Sequence, residues 1–174
     1  MEQPQILAGD VGATKTLVGL FTFAGRRPRP VTMRVFATKD FSDLTTLVSA
    51  FYRVATSGHV HVDAACFGLA GPVVGDHAKL TNVEWRADAA EVARAFNIRH
   101  VTLLNDLQAM ALAVPVLDRT ELHVLQVGSP ATDGNMALIA AGTGLGEAVL
   151  HRVHDRFVPI PSEGGHADFA ARNE

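Results

Sequence analysis

Asn105-Asp106 follows directly on the apolar run Val101-Thr102-Leu103-Leu104 and opens a helical pattern. The carboxyl end of a strand beside a helix start is where ligands gather in α/β sheets. Transfer of a phosphoryl group to an alcohol needs a base close to the hydroxyl and little other covalent chemistry. Asp106 suits that base, and Asn105 can hold neighbouring hydroxyls. Helix capping accounts for the same pair without chemistry, since Asn and Asp are preferred caps, and it is the plainer reading of the pattern alone.

Two glycine turns add a second chemical possibility. Gly9-Asp10-Val11-Gly12-Ala13-Thr14 ends the first apolar strand pattern, and Gly142-Thr143-Gly144 ends a later one. A backbone without Cβ lets a ligand approach closely, and successive N–H groups can converge on an anion. Thr14 and Thr143 can add hydroxyl donors, and the Asp10 carboxylate can hold hydrated magnesium. Taken singly, each turn is equally well a plain hairpin turn. The span from Gly9 to Thr16 comes close to the P-loop pattern, but Thr14 stands at the second glycine position. Leu17 to Phe23 also reads as strand where a P-loop must open a helix.

Pro161-Ser162-Glu163-Gly164-Gly165-His166 combines an acceptor, a flexible turn and a ring that can donate or accept. A sugar, with hydroxyls on every edge, needs such groups; a surface turn with solvated Glu and His is the alternative. His59/His61 and His151/His154 have no third ligand nearby in sequence, so no metal site is expected from them. The single cysteine, Cys66, excludes an internal disulfide framework and reads as a buried structural thiol.

The elements that must position these residues follow from pattern. Of 174 residues, 48% are apolar and 19% charged, which supports a packed core and excludes long disorder. The net charge is −3 and the basic residues Arg26, Arg27 and Arg29 only flank prolines, so no nucleic-acid partner is expected. The N-terminus lacks signal-peptide character, and no apolar stretch reaches membrane-spanning length; a cytoplasmic protein with no membrane partner is expected.

Strand patterns cover residues 5–9, 16–23, 31–37, 61–71 and 99–104, and 76–82 reads as extended. Helical faces are formed by Leu44, Leu47, Val48, Phe51 and Ala55, by Ala89, Val92, Ala93 and Phe96, and by Leu107, Met110, Ala111 and Val114. Ser42 or Asp43 can cap the first helix, Gly58 can end it, and Pro115 ends the third. Beyond a connector at 115–120, strands are expected near 121–127, 135–141, 147–152 and 157–160 with no helix among them. The glycine turns at 9–14 and 142–144 each follow one apolar strand pattern and lead into another, which suggests two related halves facing one ligand.

Gly9-Asp10-Val11-Gly12-Ala13-Thr14, Leu69-Ala70-Gly71-Pro72-Val73, Leu80-Thr81-Asn82, Asn105-Asp106, Ala141-Gly142-Thr143-Gly144-Leu145-Gly146 and Glu163-Gly164-Gly165-His166-Ala167-Asp168-Phe169 occur in this order. In types and approximate spacing they resemble the bacterial glucokinase family, over nearly the whole chain. The resemblance implies the α/β actin-like ATPase (ribonuclease H-like) fold. Residues 1–114 would form a small domain with a mixed sheet, the first phosphate loop and the catalytic Asp. Residues 115–174 would begin a related large domain, with the second phosphate loop and a glucose-binding loop.

The resemblance also implies ATP and Mg2+ as cofactors and D-glucose as the partner, giving glucose 6-phosphate, and a homodimer when the chain is complete. Carried over residue by residue, Gly9, Asp10, Val11, Gly12, Ala13 and Thr14 look like the first phosphate loop, with Asp10 reaching the metal through water. Gly142, Thr143 and Gly144 look like the second. Asp106 looks like the base that takes the proton of the 6-hydroxyl, and Asn105, Glu163 and His166 look like sugar ligands. Asn82 and Trp85 lie in the sugar-side loop.

Departures from the family pattern are Ala13, where many members have glycine, and a length close to half of the family's. The cysteine-rich zinc motif of a related kinase and repressor group is not visible. The missing length would hold the rest of the large domain, a further sugar-binding glutamate, the adenine-binding segment and a C-terminal helix. On that expectation the 174 residues alone are inactive, with a second sheet lacking covering helices. Phosphorylation of another hexose or an N-acetylhexosamine, and a non-catalytic sugar-binding or regulatory module, are the competing readings.

Overall fold

Short apolar runs build the first strands, and parallel pairings then extend them into a mixed sheet. The computed structural model describes residues 4–23, 27–56, 60–80, 85–129, 131–141, 144–162 and 164–167. The chain divides into two units, Met1–Asp106 and Leu107–Glu174. In the first, β1 (Gln5–Val11), β2 (Lys15–Phe23) and β3 (Pro28–Ala37) form an antiparallel meander. β3 starts at Pro28, three residues before the strand pattern at 31–37. Its prolines are tolerated because β3 is an edge strand, where a missing N–H breaks no ladder on the outer side.

α1 (Leu44–Ala55) begins where the Asp43 carboxylate accepts the Thr46 N–H at 2.7 Å, half of a reciprocal capping box. Leu44, Leu47, Val48 and Phe51 form its buried stripe, as the periodicity predicts. The helix ends at Thr56, whose hydroxyl donates to the Tyr52 carbonyl at 2.8 Å; the expected stop, Gly58, lies outside the described residues. β4 (Ala64–Leu69) then runs parallel to β1. The stretch expected to be simply extended is instead part of a small antiparallel sheet of β5 (Val73–Val74), β6 (His77–Lys79) and β7 (Arg86–Asp88). Its first turn uses Gly75 at φ +60°, a conformation glycine enters without a Cβ clash.

α2 (Ala89–Phe96) is capped by Asp88, which accepts the Glu91 N–H at 3.0 Å. β8 (His100–Asn105) runs parallel to β4 and completes the order β3-β2-β1-β4-β8. One face of this sheet presents Leu7, Val11, Val18, Leu20, Phe67, Leu69 and Leu103 to the stripes of α1 and α2. Burial of each such side chain stabilises the fold by about 1.5–3 kcal/mol before entropy is counted.

The second unit begins with α3 (Asp106–Ala113), whose first residue closes the first unit. Pro115 sits in a single 3-10 turn, Val114–Val116, that terminates it. Leu107, Ala111 and Val114 pack with Ala148, Leu150, Met136, Leu138 and Phe157, so the helix grouped by sequence with residues 1–114 shares the core of the later strands. Met110, expected on the same face, is exposed.

The strand expected near 121–127 does not form. Leu122, Val124, Leu125 and Val127 break alternation between 124 and 125, and among the described strands none pairs with this segment. An apolar run without a neighbour to take its backbone groups has no reason to stay extended and buried, and Leu125 is 91% exposed. β9 (Met136–Ala141), β10 (Leu145–Val153) and β11 (Arg156–Ser162) do form, as a meander of order β11-β10-β9. α3 covers one face of it, which corrects the expectation of a sheet with no covering helix.

Candidate functional site

The first glycine loop joins β1 to β2, and strand rather than helix follows it, which removes the P-loop reading. Gly9 belongs to the strand itself, paired with Val18 and with Phe67. A Cβ at this position would lie 2.6 Å from the Phe67 ring, so packing already accounts for the glycine. Gly12 donates its N–H to the Lys15 carbonyl at 3.0 Å, and a Cβ there would stand 3.0 Å from the same oxygen. The non-glycine residues with left-handed φ among those described are Asn97 and His154, so Ala13 carries its methyl group without backbone strain.

Two side chains that sequence reasoning missed brace this loop. Thr38 donates its hydroxyl to the Gly12 carbonyl at 2.7 Å and its N–H to the Thr14 carbonyl at 3.1 Å. The Thr16 and Thr38 hydroxyls lie 2.8 Å apart, and both residues are fully buried. The available signal was slight: a threonine just past the end of an edge strand.

The register of the parallel strands brings the loop and the Asn-Asp pair to one edge. Val11, Leu69 and Asn105 lie in a single row across β1, β4 and β8, at their carboxyl ends. Two strand spacings separate the outer members, roughly 10 Å. Asp10 stands one residue before that row, in line with Gly68 and Leu104 on the face away from the core, and is exposed. Its partner in the register, Gly68, is buried and carries no side chain. Between the outer strands, Ala70 donates its N–H to the Val11 carbonyl at 3.0 Å, and the Asn105 amide donates to the Gly71 carbonyl at 3.2 Å. Asn105 thereby ties the end of β8 to the turn after β4.

Asp106 is the first residue of α3, and the positive end of a helix dipole favours its carboxylate. Trp85, assigned to the sugar-side loop, stands just before β7 and is buried, 4% exposed, in the cluster beneath the first sheet. Asn82 lies outside the described residues.

In the second unit the loop that follows Ala141 returns at Leu145, its strand partner. Gly142 and Thr143 lie outside the described residues; Gly144 is exposed, with open space where a Cβ would stand. Gly146 is required by packing, since a Cβ there would meet Leu107 at 3.0 Å. Gly165 is required more strictly: a Cβ would overlap the Leu145 carbonyl oxygen. The turn Gly164–His166 therefore rests on the first residue of β10, immediately beside the second glycine loop. Glu147 and Ser162 brace it, Ser162 donating to the Glu147 carboxylate at 3.4 Å and accepting the Gly164 N–H at 3.1 Å. Glu163 and the His166 side chain lie outside the described residues.

In the first unit, a glycine loop, an exposed carboxylate at Asp10 and an Asn-Asp pair at the same strand edge are groups that suit an anionic ligand, a counter-cation and an alcohol. Comparison with known proteins points the same way. The family model described as Glucokinase matches residues 7–174. A glucokinase of Nostoc punctiforme is 39% identical over 170 residues, 97% of this chain and 49% of its own length. One from Pectobacterium atrosepticum is 35% identical over 171 residues, 97% of this chain and 51% of its own. The chain spans about half the length of the curated relatives it matches. The crystal structure of a glucokinase from an Antarctic psychrotroph superposes with a TM-score of 0.86 at 28% identity, over 99% of this chain and 54% of the other. A Balamuthia mandrillaris glucokinase in complex with glucose shares the fold, with a TM-score of 0.73 at 21% identity over 97% of this chain and 50% of the other.

Proposed function

We propose, because this chain belongs to the glucokinase family and has its actin-like ATPase fold, that it carries the phosphate-binding and sugar-binding groups of an enzyme transferring the γ-phosphate of ATP to the 6-hydroxyl of D-glucose. The products are glucose 6-phosphate and ADP. The first unit serves as the small domain and the second, with α3, as the start of the large one. Residues 9–14 and 142–144 take the phosphates through backbone N–H groups and the hydroxyls of Thr14 and Thr143. Magnesium held through water at Asp10 would neutralise the phosphates as charge builds on the departing ADP. Asn105, Glu163 and His166 hold sugar hydroxyls, with Asn82 on the sugar side. Asp106 accepts the proton of the 6-hydroxyl as that oxygen attacks phosphorus.

The observation that carries the reading is the row Val11–Leu69–Asn105, which ends the phosphate-loop strand and the strand leading into Asp106 at one edge. A homodimer in the cytoplasm extends the reading on family likeness; no helix among the described residues is long and apolar enough to cross a membrane. The chain spans about half the length of the curated relatives it matches, and on this reading turnover is not expected of the 174 residues alone.

Asp106→Ala in the full-length protein tests the assignment. Loss of a general base lowers kcat by about two orders of magnitude or more, with glucose affinity and circular dichroism little changed. Near-normal turnover would remove Asp106 from the mechanism. Glucose binding without any turnover in the unmodified protein would mark a non-catalytic sugar-binding module instead.

A further inference from the structure

The two buried hydroxyls beneath the first glycine loop form a directed chain. A carbonyl oxygen cannot donate, so Thr38 spends its one hydroxyl proton on the Gly12 carbonyl. The contact at 2.8 Å must then be donated by Thr16. Thr38 fixes the loop a second time through its own N–H, which holds the Thr14 carbonyl at 3.1 Å. Two of the loop's carbonyls are thus drawn toward a single residue that is wholly buried.

In a planar trans peptide the C=O of one residue and the N–H of the next point in opposite directions. Drawing the Gly12 and Thr14 carbonyls inward therefore turns the N–H groups of Ala13 and Lys15 away from Thr38. A loop built this way offers donors to an anion and withholds the carbonyl oxygens that would repel it. Resting on the kinase reading above, we propose that Thr38, backed by Thr16, is a positioning residue that orients the first phosphate loop for the triphosphate of ATP. Nothing in the loop's own sequence performs this task, since Thr38 reaches Gly12 from 26 residues away.

Thr38→Val keeps the shape and removes the hydroxyl, whereas Thr38→Ser keeps the hydroxyl. In the full-length protein, Thr38→Val raises the KM for MgATP and the Kd for MgADP, measured by calorimetry, about tenfold, the scale of one hydrogen bond. The KM for glucose stays within about twofold, the size of an indirect effect, and Thr38→Ser restores nucleotide affinity. A role confined to stability lowers Tm and leaves both nucleotide constants unchanged, and that result overturns the proposal. So does Thr38→Ser proving as defective as Thr38→Val. Should Thr38→Val fail to fold, Thr16→Val removes only the donor behind Thr38. It is expected to weaken MgADP about threefold, a fraction of a hydrogen bond, and unchanged affinity again overturns the proposal. Failure of the kinase reading has a different signature: the unmodified protein neither phosphorylates a hexose nor binds MgADP, whatever stands at 38.

Discussion

The two units each contain an antiparallel three-strand meander whose first hairpin carries a glycine loop, yet they are finished differently. β1-β2-β3 gains parallel neighbours β4 and β8, and α1 and α2 seal one face over Leu7, Val18 and Phe67. Among the described residues, β9-β10-β11 gains α3, over Ala148 and Leu150. Its other face presents Ile139, Leu145, Val149, Val158 and Ile160 to solvent, with Ile139 at 68% exposure. A hairpin and its glycine loop are local products of sequence, but the stiffness of the loop depends on what lies beneath it. Under the first loop lies a braced core with Thr38 at its rim, whereas a Cβ at Gly144, the described glycine of the second, would meet nothing within 4 Å.

The contrast can be broken by mutation. Phe67→Ala removes a fully buried ring from the layered core and is expected to cost about 3–5 kcal/mol. Leu150→Ala is expected to cost about 2 kcal/mol, the low end of the usual range, because a single shallow layer can collapse into the space. Denaturant unfolding with hydrogen exchange read unit by unit checks both, and equal costs would deny the contrast.

Acid sharpens it at the next smaller scale. The Asp88 carboxyl is held below its ordinary value, chiefly by the Glu91 N–H and further by the charge of His77, against an opposing effect of burial. At Asp43 burial pushes upward most strongly, but the Thr46 N–H and the Ser42 and Thr46 hydroxyls together outweigh it and the value is again lowered. A carboxyl lowered in the folded state binds its proton more readily when unfolded. The stabilisation is therefore present above the ordinary value of 3.8 and is lost as pH falls below it. Amide protection in α1 and α2 should drop over that window, and Asp88→Asn, which keeps a capping oxygen, should flatten the response in α2. A pH-independent α2 would remove the charge from the account.

The smallest effect is expected on the open face. Ile160→Lys should change the stability of the 174-residue chain by no more than about 0.5 kcal/mol, as exposed substitutions generally do, while raising its solubility. A larger loss would mean that the face is covered.

Much of this was legible in the residues. Apolar and β-branched runs gave the strands of the two meanders, helical periodicity gave α1 and α2, and Ser42-Asp43 marked a helix start. The candidate site was legible as loops and an Asn-Asp pair. Illegible were Thr38 and the packing reason for Gly9, because both depend on strands brought together from far along the chain. The burial of Trp85 was illegible for the same reason, and the apolar run at 122–127 showed the converse error, pattern without a partner.

What the sequence determined by itself was every feature set within one hairpin or one helical turn: the glycine loops, the capping residues, and which side chains share a face. Those depend on neighbours whose separation is fixed by covalent geometry. Tertiary structure decided which strands lie side by side, and so that Asp10 and Asn105 share an edge and that the carbonyls of the first loop point inward. Such pairings join residues across long loops, and only the summed burial of a core offsets the entropy of closing them.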